Sequence, residues 1–125
     1  MEQRYLIDTN AVIDAQIGKI PVSGMNFMAS VLNKEFNISF ISYIEFMGYK
    51  HITTESEAFI KLSNVIEINK NIIDICIFLR KTKRINLPDA IIAATAVYHN
   101  MIVISRNSKD FANIDNLKVI DPYTV

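Results

Sequence analysis

The stretch Asn86-Leu87-Pro88-Asp89-Ala90-Ile91-Ile92-Ala93-Ala94-Thr95-Ala96 decides the fold. Pro88 suits the first position of a helix, where its missing N–H costs nothing. The alanines at 90, 93, 94 and 96 let that helix, running to about Asn100, pack closely against its neighbours. Directly after it, Met101 to Ile104 is an unbroken apolar run of strand length, the pattern of a strand buried on both faces.

Outward from this unit the same alternation holds. Arg4 to Ile7 reads as a short buried strand and Asn10 to Ile17 as a helix ended by Gly18. A second helix follows Pro21 and runs through Phe27, Met28, Val31 and Leu32, whose spacing places them on one face. Ile38 to Ile41 predicts a strand, Tyr43 to about Lys50 a helix, Glu55 to Leu62 another, and Val65 to Ile68 a brief strand. From Asn71 to Arg80 the positions Ile72, Ile75, Cys76 and Leu79 keep helical spacing, and Leu117 to Ile120 closes the chain as a last strand. Short apolar strands alternating with helices predict an α/β fold with a parallel sheet covered on both faces. No linker, repeat or low-complexity tract divides 1–125, so a single domain is expected.

Three acids follow apolar runs: Asp8 in Tyr5-Leu6-Ile7-Asp8-Thr9-Asn10, Glu45 in Ile41-Ser42-Tyr43-Ile44-Glu45, and Asp89. They converge if those runs are neighbouring parallel strands whose carboxyl ends share a rim, where open α/β sheets carry their sites. Clustered carboxylates repel unless a cation sits among them, and oxygen ligands suit Mg²⁺ or Mn²⁺. Each acid also has an ordinary reading. Asp8 and Asn10 suit the cap of the following helix. Ser42 and Glu45 have capping-box spacing, and Asp89 in a first helical turn complements the helix dipole. A fourth polar segment, Ser105-Arg106-Asn107-Ser108-Lys109-Asp110, follows the Met101–Ile104 run.

Taken together, Leu6-Ile7-Asp8-Thr9-Asn10 with Val12-Ile13, Ser42 with Glu45, the Asn86–Ala96 stretch and Val103-Ile104-Ser105-Arg106-Asn107-Ser108-Lys109-Asp110-Phe111 resemble the successive signature segments of PIN-domain ribonucleases. The likeness is greatest to the small VapC-type toxins of toxin–antitoxin pairs and spans nearly the whole chain. The resemblance implies a PIN-like three-layer α/β/α sandwich around a central parallel sheet. It implies an Mg²⁺- or Mn²⁺-dependent endoribonuclease that leaves a 5′-phosphate and a 3′-hydroxyl. Asp8, Glu45 and Asp89 correspond to the first three acids of the family's site. For the fourth, relatives carry aspartate at the position of Asn107 or an acid a few residues later, here Asp110, so both are candidates for the metal site. Thr9, Asn10, Ser42 and Ser105 are supporting groups at the same rim, with helix capping as their alternative. The resemblance further implies a homodimer and an antitoxin partner whose tail covers the acids.

Composition bounds the rest. Thirteen basic and thirteen acidic residues balance, so nucleic acid is not held by net charge alone. A local patch remains open: Arg80, Lys83 and Arg84 ahead of Asp89, with Arg106 beyond it, are candidate contacts for substrate phosphate, or a solvated helix end. No apolar run approaches the roughly 20 residues that span a bilayer. Met1 to Arg4 lead straight into a strand without a secretory signal, so a cytoplasmic protein is expected. The lone Cys76 reads as a small buried hydrophobe, and His51 and His99 as surface or helix-end residues. No glycine-rich phosphate loop is present. Asp8-Thr9-Asn10 lacks the second acid of an aspartate-based phosphotransferase. A competing reading is a PIN-like RNA- or protein-binding module that has lost its metal.

Overall fold

The first strand of the chain pairs with the apolar run that follows the alanine-rich helix. In the computed structural model, which describes residues 3–125, β1 (Arg4–Ile7) lies parallel to β4 (Met101–Ile104), with Leu6 opposite Val103 and Ile7 opposite Ile104. β4 also pairs in parallel with β5 (Val119–Ile120), and β2 (Asn37–Ser39) with β3 (Asn64–Ile66). The two ladders meet through a side chain. Asn37, fully buried, donates its Nδ2 hydrogens to the Tyr5 carbonyl (3.1 Å) and to the Glu35 carboxylate, and its Oδ1 accepts from Asn64 Nδ2 (2.9 Å). A buried amide needs such partners, and here it spends them stitching β3-β2 to β1-β4-β5.

Because side chains alternate along a strand, consecutive residues feed opposite layers. Leu6 and Val103 pack with α5 (Lys70–Thr82) and α6 (Leu87–His99); Ile7, Ile38 and Ile104 pack with α1 (Thr9–Gln16), α2 (Val22–Lys34), α3 (Phe40–Met47) and α4 (Thr54–Ile60). The result is the expected α/β/α sandwich with every strand pair parallel. The alanines of α6 do what their size predicts: 90, 93, 94 and 96 are all fully buried against α5 and the sheet. Cys76 is buried in the same cluster, where loss of solvation raises its thiol pKa. Burying a side chain of Leu or Ile size is worth about 1.5–3 kcal/mol, so these two apolar layers are the main force fixing the sheet.

Several boundaries differ from the sequence reading by one to three residues. The Ile38–Ile41 run is a strand only to Ser39, because the Ser39 hydroxyl accepts from the Ile41 N–H (3.2 Å) and caps α3, which starts at Phe40, three residues before the expected Tyr43. Ser42 is therefore inside the helix, fully buried and without a hydrogen-bond partner for its hydroxyl, and the Ser42–Glu45 capping box does not form. Pro88 occupies the second position of α6, since Asn86 is the cap and its Oδ1 accepts from the Asp89 N–H (2.9 Å). The last strand is confined to Val119–Ile120, following a left-handed Asn116 at φ 64°. No helix among the described residues is long and apolar enough to cross a membrane.

Candidate active site

Asp8 is the first residue beyond β1 and also the cap of α1. Its Oδ1 accepts from the Thr9 N–H (2.8 Å), while Oδ2 accepts from Asn10 Nδ2 (3.2 Å) and from the Ser105 hydroxyl (2.8 Å). Ser105 stands at the end of β4, so the two paired strands deliver these groups side by side. The capping role and the site role coincide in one carboxylate. Burial raises the Asp8 pKa; the Ser105 and Thr9 hydrogen bonds act against it, and the charges of Glu45 and Asp110 add to it.

The other acids arrive differently from the expectation that each follows a strand. Glu45 lies in the second turn of α3 and is exposed, and Thr9 donates its hydroxyl to Glu45 Oε1 (3.0 Å), tying α3 to α1 across the cleft. Asp89 sits in the first turn of α6, whose predecessor is the helix α5 rather than a strand. The reach to the rim is supplied by the α6 N-terminus. Asp8, Glu45 and Asp89 line one cleft of about 260 Å³, together with Thr9, Asn10, Ile13, Pro88 and Ile92. Asp110 is on a 3-10 turn (Ser108–Phe111) after β4.

These carboxylates feel one another. Asp89 is pushed up to about 6, first by burial, then by the negative charges of Asp8 and Asp110, with Glu45 adding a smaller push and an Asn86 hydrogen bond opposing them. A donor set made only of oxygens, carrying repulsion that a cation would relieve, fits a hard divalent ion. Among the described residues no three acidic, histidine or cysteine side chains stand close enough to form a ready-made cage. The acids share a field across an open cleft rather than a closed coordination sphere. Asn107 is exposed and makes no side-chain cap at its turn, whereas Asp110 acts on both Asp8 and Asp89.

The candidate phosphate contacts divide. Arg80 donates from Nη1 to the Ile85 carbonyl (2.7 Å) and pins the α5–α6 connection. Arg106 donates from Nη1 to Asp14 Oδ2 (2.9 Å), so its guanidinium is turned onto α1. Both guanidinium groups have structural employment. Lys83 and Arg84 line a cleft of about 400 Å³ with Lys109 and Asp110 over an apolar floor of Ile85 and Ile114. Lys109 was not singled out by the sequence reading, because a lone lysine in a polar segment carries no signal until the fold sets it opposite Lys83 and Arg84. Asp14 was also missed: it is 3% exposed, on α1. On the other side of Glu45, the exposed or half-buried Ile13, Ile17, Tyr49 and Ile52 with buried Phe46 form a groove of about 270 Å³ that shares Thr9 and Glu45 with the acidic cleft. His51 lies at its edge against Tyr49, and His99 ends α6; neither lines the acids' cleft.

Comparison with known proteins agrees with this geometry. The PIN-domain family model matches residues 5–117. A chain of a toxin–antitoxin complex from Klebsiella pneumoniae is 33% identical, superposes with a TM-score of 0.72, and the match covers 95% of this chain and 98% of that one. A chain of VapBC-1 from nontypeable Haemophilus influenzae is 26% identical with a TM-score of 0.75, covering 96% and 98%. A chain of DNA-bound VapBC from Salmonella typhimurium, 18% identical over 97% and 99%, shares the fold with a TM-score of 0.76. No match was found among curated proteins.

Proposed function

The chain belongs to the PIN-domain family, and on that premise we propose that it is a divalent-metal-dependent endoribonuclease, the toxin of a VapBC-type pair. The observation that carries this reading is the convergence of Asp8, Glu45 and Asp89 on one cleft, where the charges of Asp8, Asp110 and Glu45 help to push Asp89 up. Acids gathered this way cost stability unless a cation offsets their charge, and such groupings are characteristic of functional sites.

Asp8 and Asp89 would supply the direct oxygen ligands. Asp8 is held rigidly by three donors, and Asp89 is fixed by the Asn86 cap at the base of α6. Glu45, oriented by Thr9, and Asp110 complete the acidic ring, and Asn107 is left as a neutral oxygen at its border. When bound, Mg²⁺ or Mn²⁺ supplies the positive charge that acidifies a water and offsets charge developing on the phosphate. Lys83, Arg84 and Lys109 lie on the Asp110 side, where they receive the phosphates of an RNA strand crossing the rim. The whole described chain acts as one domain in this scheme, in the cytoplasm.

The apolar groove sharing Thr9 and Glu45 with the cleft suits the antitoxin partner, since a segment seated there lies against the acids. A homodimer is supported by the exposed apolar side of α5, where Ile73, Ile77 and Phe78 are 38%, 47% and 63% exposed. The test is cleavage of pooled, end-labelled structured RNA by the purified chain with Mg²⁺, Mn²⁺ or EDTA. Discrete cuts that require metal and vanish in Asp8→Asn and Asp89→Asn are expected; metal-independent cuts, or cuts persisting in both variants, contradict the proposal.

A further inference from the structure

We propose that Asp14 is a positioning residue for the acidic rim: buried in α1, it clamps Arg106 and Tyr123, and so fixes the turn that hydrogen-bonds Asp8. This rests on the reading of the rim as a metal site. Asp14 Oδ2 accepts from Arg106 Nη1 (2.9 Å) and from the Tyr123 hydroxyl (3.1 Å), with the Asp14 side chain 5% exposed and that of Arg106 46% exposed.

One turn earlier on the same helix face, Asn10 Oδ1 accepts from the Arg106 N–H (3.2 Å). Arg106 is therefore gripped twice by α1, at its main chain by Asn10 and at its guanidinium by Asp14. The grip transmits to the rim in two ways. Asn10 donates from Nδ2 to Asp8, and the residue before Arg106, Ser105, donates its hydroxyl to the same Asp8 oxygen (2.8 Å) while accepting from the Asn107 N–H (3.0 Å). The turn so held leads into the 3-10 turn that carries Asp110.

Tyr123 extends the clamp into the C-terminal strap. Its N–H donates to Asp121 Oδ1 (2.9 Å), and the Val125 carbonyl accepts from the Ser23 hydroxyl (2.7 Å). Next to Ser23, Gly24 lets the strap lie on α2, because a Cβ there would come within 1.9 Å of the Pro122 carbonyl oxygen. An ion pair with its carboxylate buried and its guanidinium half exposed is a poor source of stability compared with apolar packing, since desolvating the carboxylate offsets the attraction. What it does supply is direction. Groups bonded directly to metal-binding side chains, as Asn10 and Ser105 are to Asp8, commonly carry 10–100-fold in metal affinity or activity, and Asp14 acts through them.

The experiment compares wild type with Asp14→Asn, Tyr123→Phe, Arg106→Lys and Arg106→Met. Three readouts are taken: Mn²⁺ affinity by calorimetry, kcat and KM on a cleaved RNA, and backbone amide exchange. We expect Asp14→Asn and Arg106→Met to weaken Mn²⁺ binding roughly tenfold and to lower kcat with KM little changed. Arg106→Lys, which keeps the charge, and Tyr123→Phe, which keeps the ring, should fall between these and wild type. Exchange at the Arg106 and Asn107 amides should accelerate while that at Val103, in β4, stays as in wild type. Wild-type Mn²⁺ affinity and exchange in the folded variants overturn the clamp, as does acceleration at Val103 to the same degree, which marks a purely structural role. If Asp14→Asn does not fold, Tyr123→Phe and the Arg106 pair decide on the same criteria. Wild type failing to bind Mn²⁺ or cut RNA overturns the metal-site reading instead, and the exchange measurement still judges the clamp.

Discussion

Asp89 lies in the field of Asp8: half-buried beside that second carboxylate, its carboxyl is pushed up to about 6. The two residues come from opposite layers' helices, one at the start of α1 and one at the start of α6, and meet only because both N-termini point to the same rim. Without a cation, the charged pair is a liability to the fold. Asp89→Asn should therefore raise the melting temperature of metal-free protein at pH 7 while abolishing activity. The gain expected is on the order of 1 kcal/mol after allowing for solvent screening of a half-buried group, or about 3–5 °C. Thermal unfolding in EDTA checks it, and a lower melting temperature would contradict the proposed repulsion.

The same pKa sets a pH dependence. A carboxyl raised in the folded state binds more protons there than in the unfolded chain, so its contribution to stability is present below pH 4 and is lost as pH rises through about 6. Metal-free wild type should accordingly lose stability relative to Asp89→Asn between pH 4.5 and 7. Mn²⁺ affinity should change in the opposite sense, falling as pH drops below 6 because the ligand must be deprotonated. Parallel melting curves for the two proteins across this range would refute the assignment.

The basic cleft gives a salt-dependent prediction. Lys83→Ala, Arg84→Ala and Lys109→Ala each remove a cation lining it. If each meets one phosphate of a single strand, the slope of log affinity against log salt should drop by about 0.7 per substitution. Arg80→Ala should leave the slope unchanged and lower stability instead, since its guanidinium binds the Ile85 carbonyl. RNA binding to the Asp89→Asn variant, measured over a salt series, separates the two behaviours.

Gly24→Ala should destabilise by about 1–3 kcal/mol or more, because the added methyl meets the Pro122 carbonyl oxygen at 1.9 Å and backbone must move to relieve it. Chemical denaturation measures the loss. Stability equal to wild type would mean that the C-terminal strap does not rest on α2.

These relationships differ in how far they can be read from the chain. β1 and β4 are legible because each carries a short apolar run, Tyr5–Ile7 and Met101–Ile104, followed at once by a rim residue, Asp8 or Ser105. The α6 helix is legible from Pro88 and its alanines. The α3 start is not, since Ser39 and Ser42 are equally good caps in isolation and only packing of Ser42 against the interior chooses between them. The three principal acids are legible by motif, yet the route of Asp89 to the rim through a helix hairpin is a property of the tertiary fold. Asp14, Arg106 and Tyr123 are beyond sequence reasoning for a similar reason: nothing local distinguishes a buried aspartate on α1 from a solvated one until distant partners reach it. Likewise, nothing in the sequence around Arg106 marks the bond its half-exposed guanidinium makes to Asp14.

The central claim is that Asp8, Glu45, Asp89 and Asp110 together hold a divalent cation. Calorimetric titration of the metal-free protein with Mn²⁺ at pH 7.5 tests it most directly, since it needs no knowledge of the RNA target. Saturable binding in wild type, lost in Asp8→Asn and Asp89→Asn while both variants stay folded, is the predicted result. Absence of binding in wild type, or equal binding in all three proteins, would contradict it and leave a PIN-like module whose acids serve only the fold.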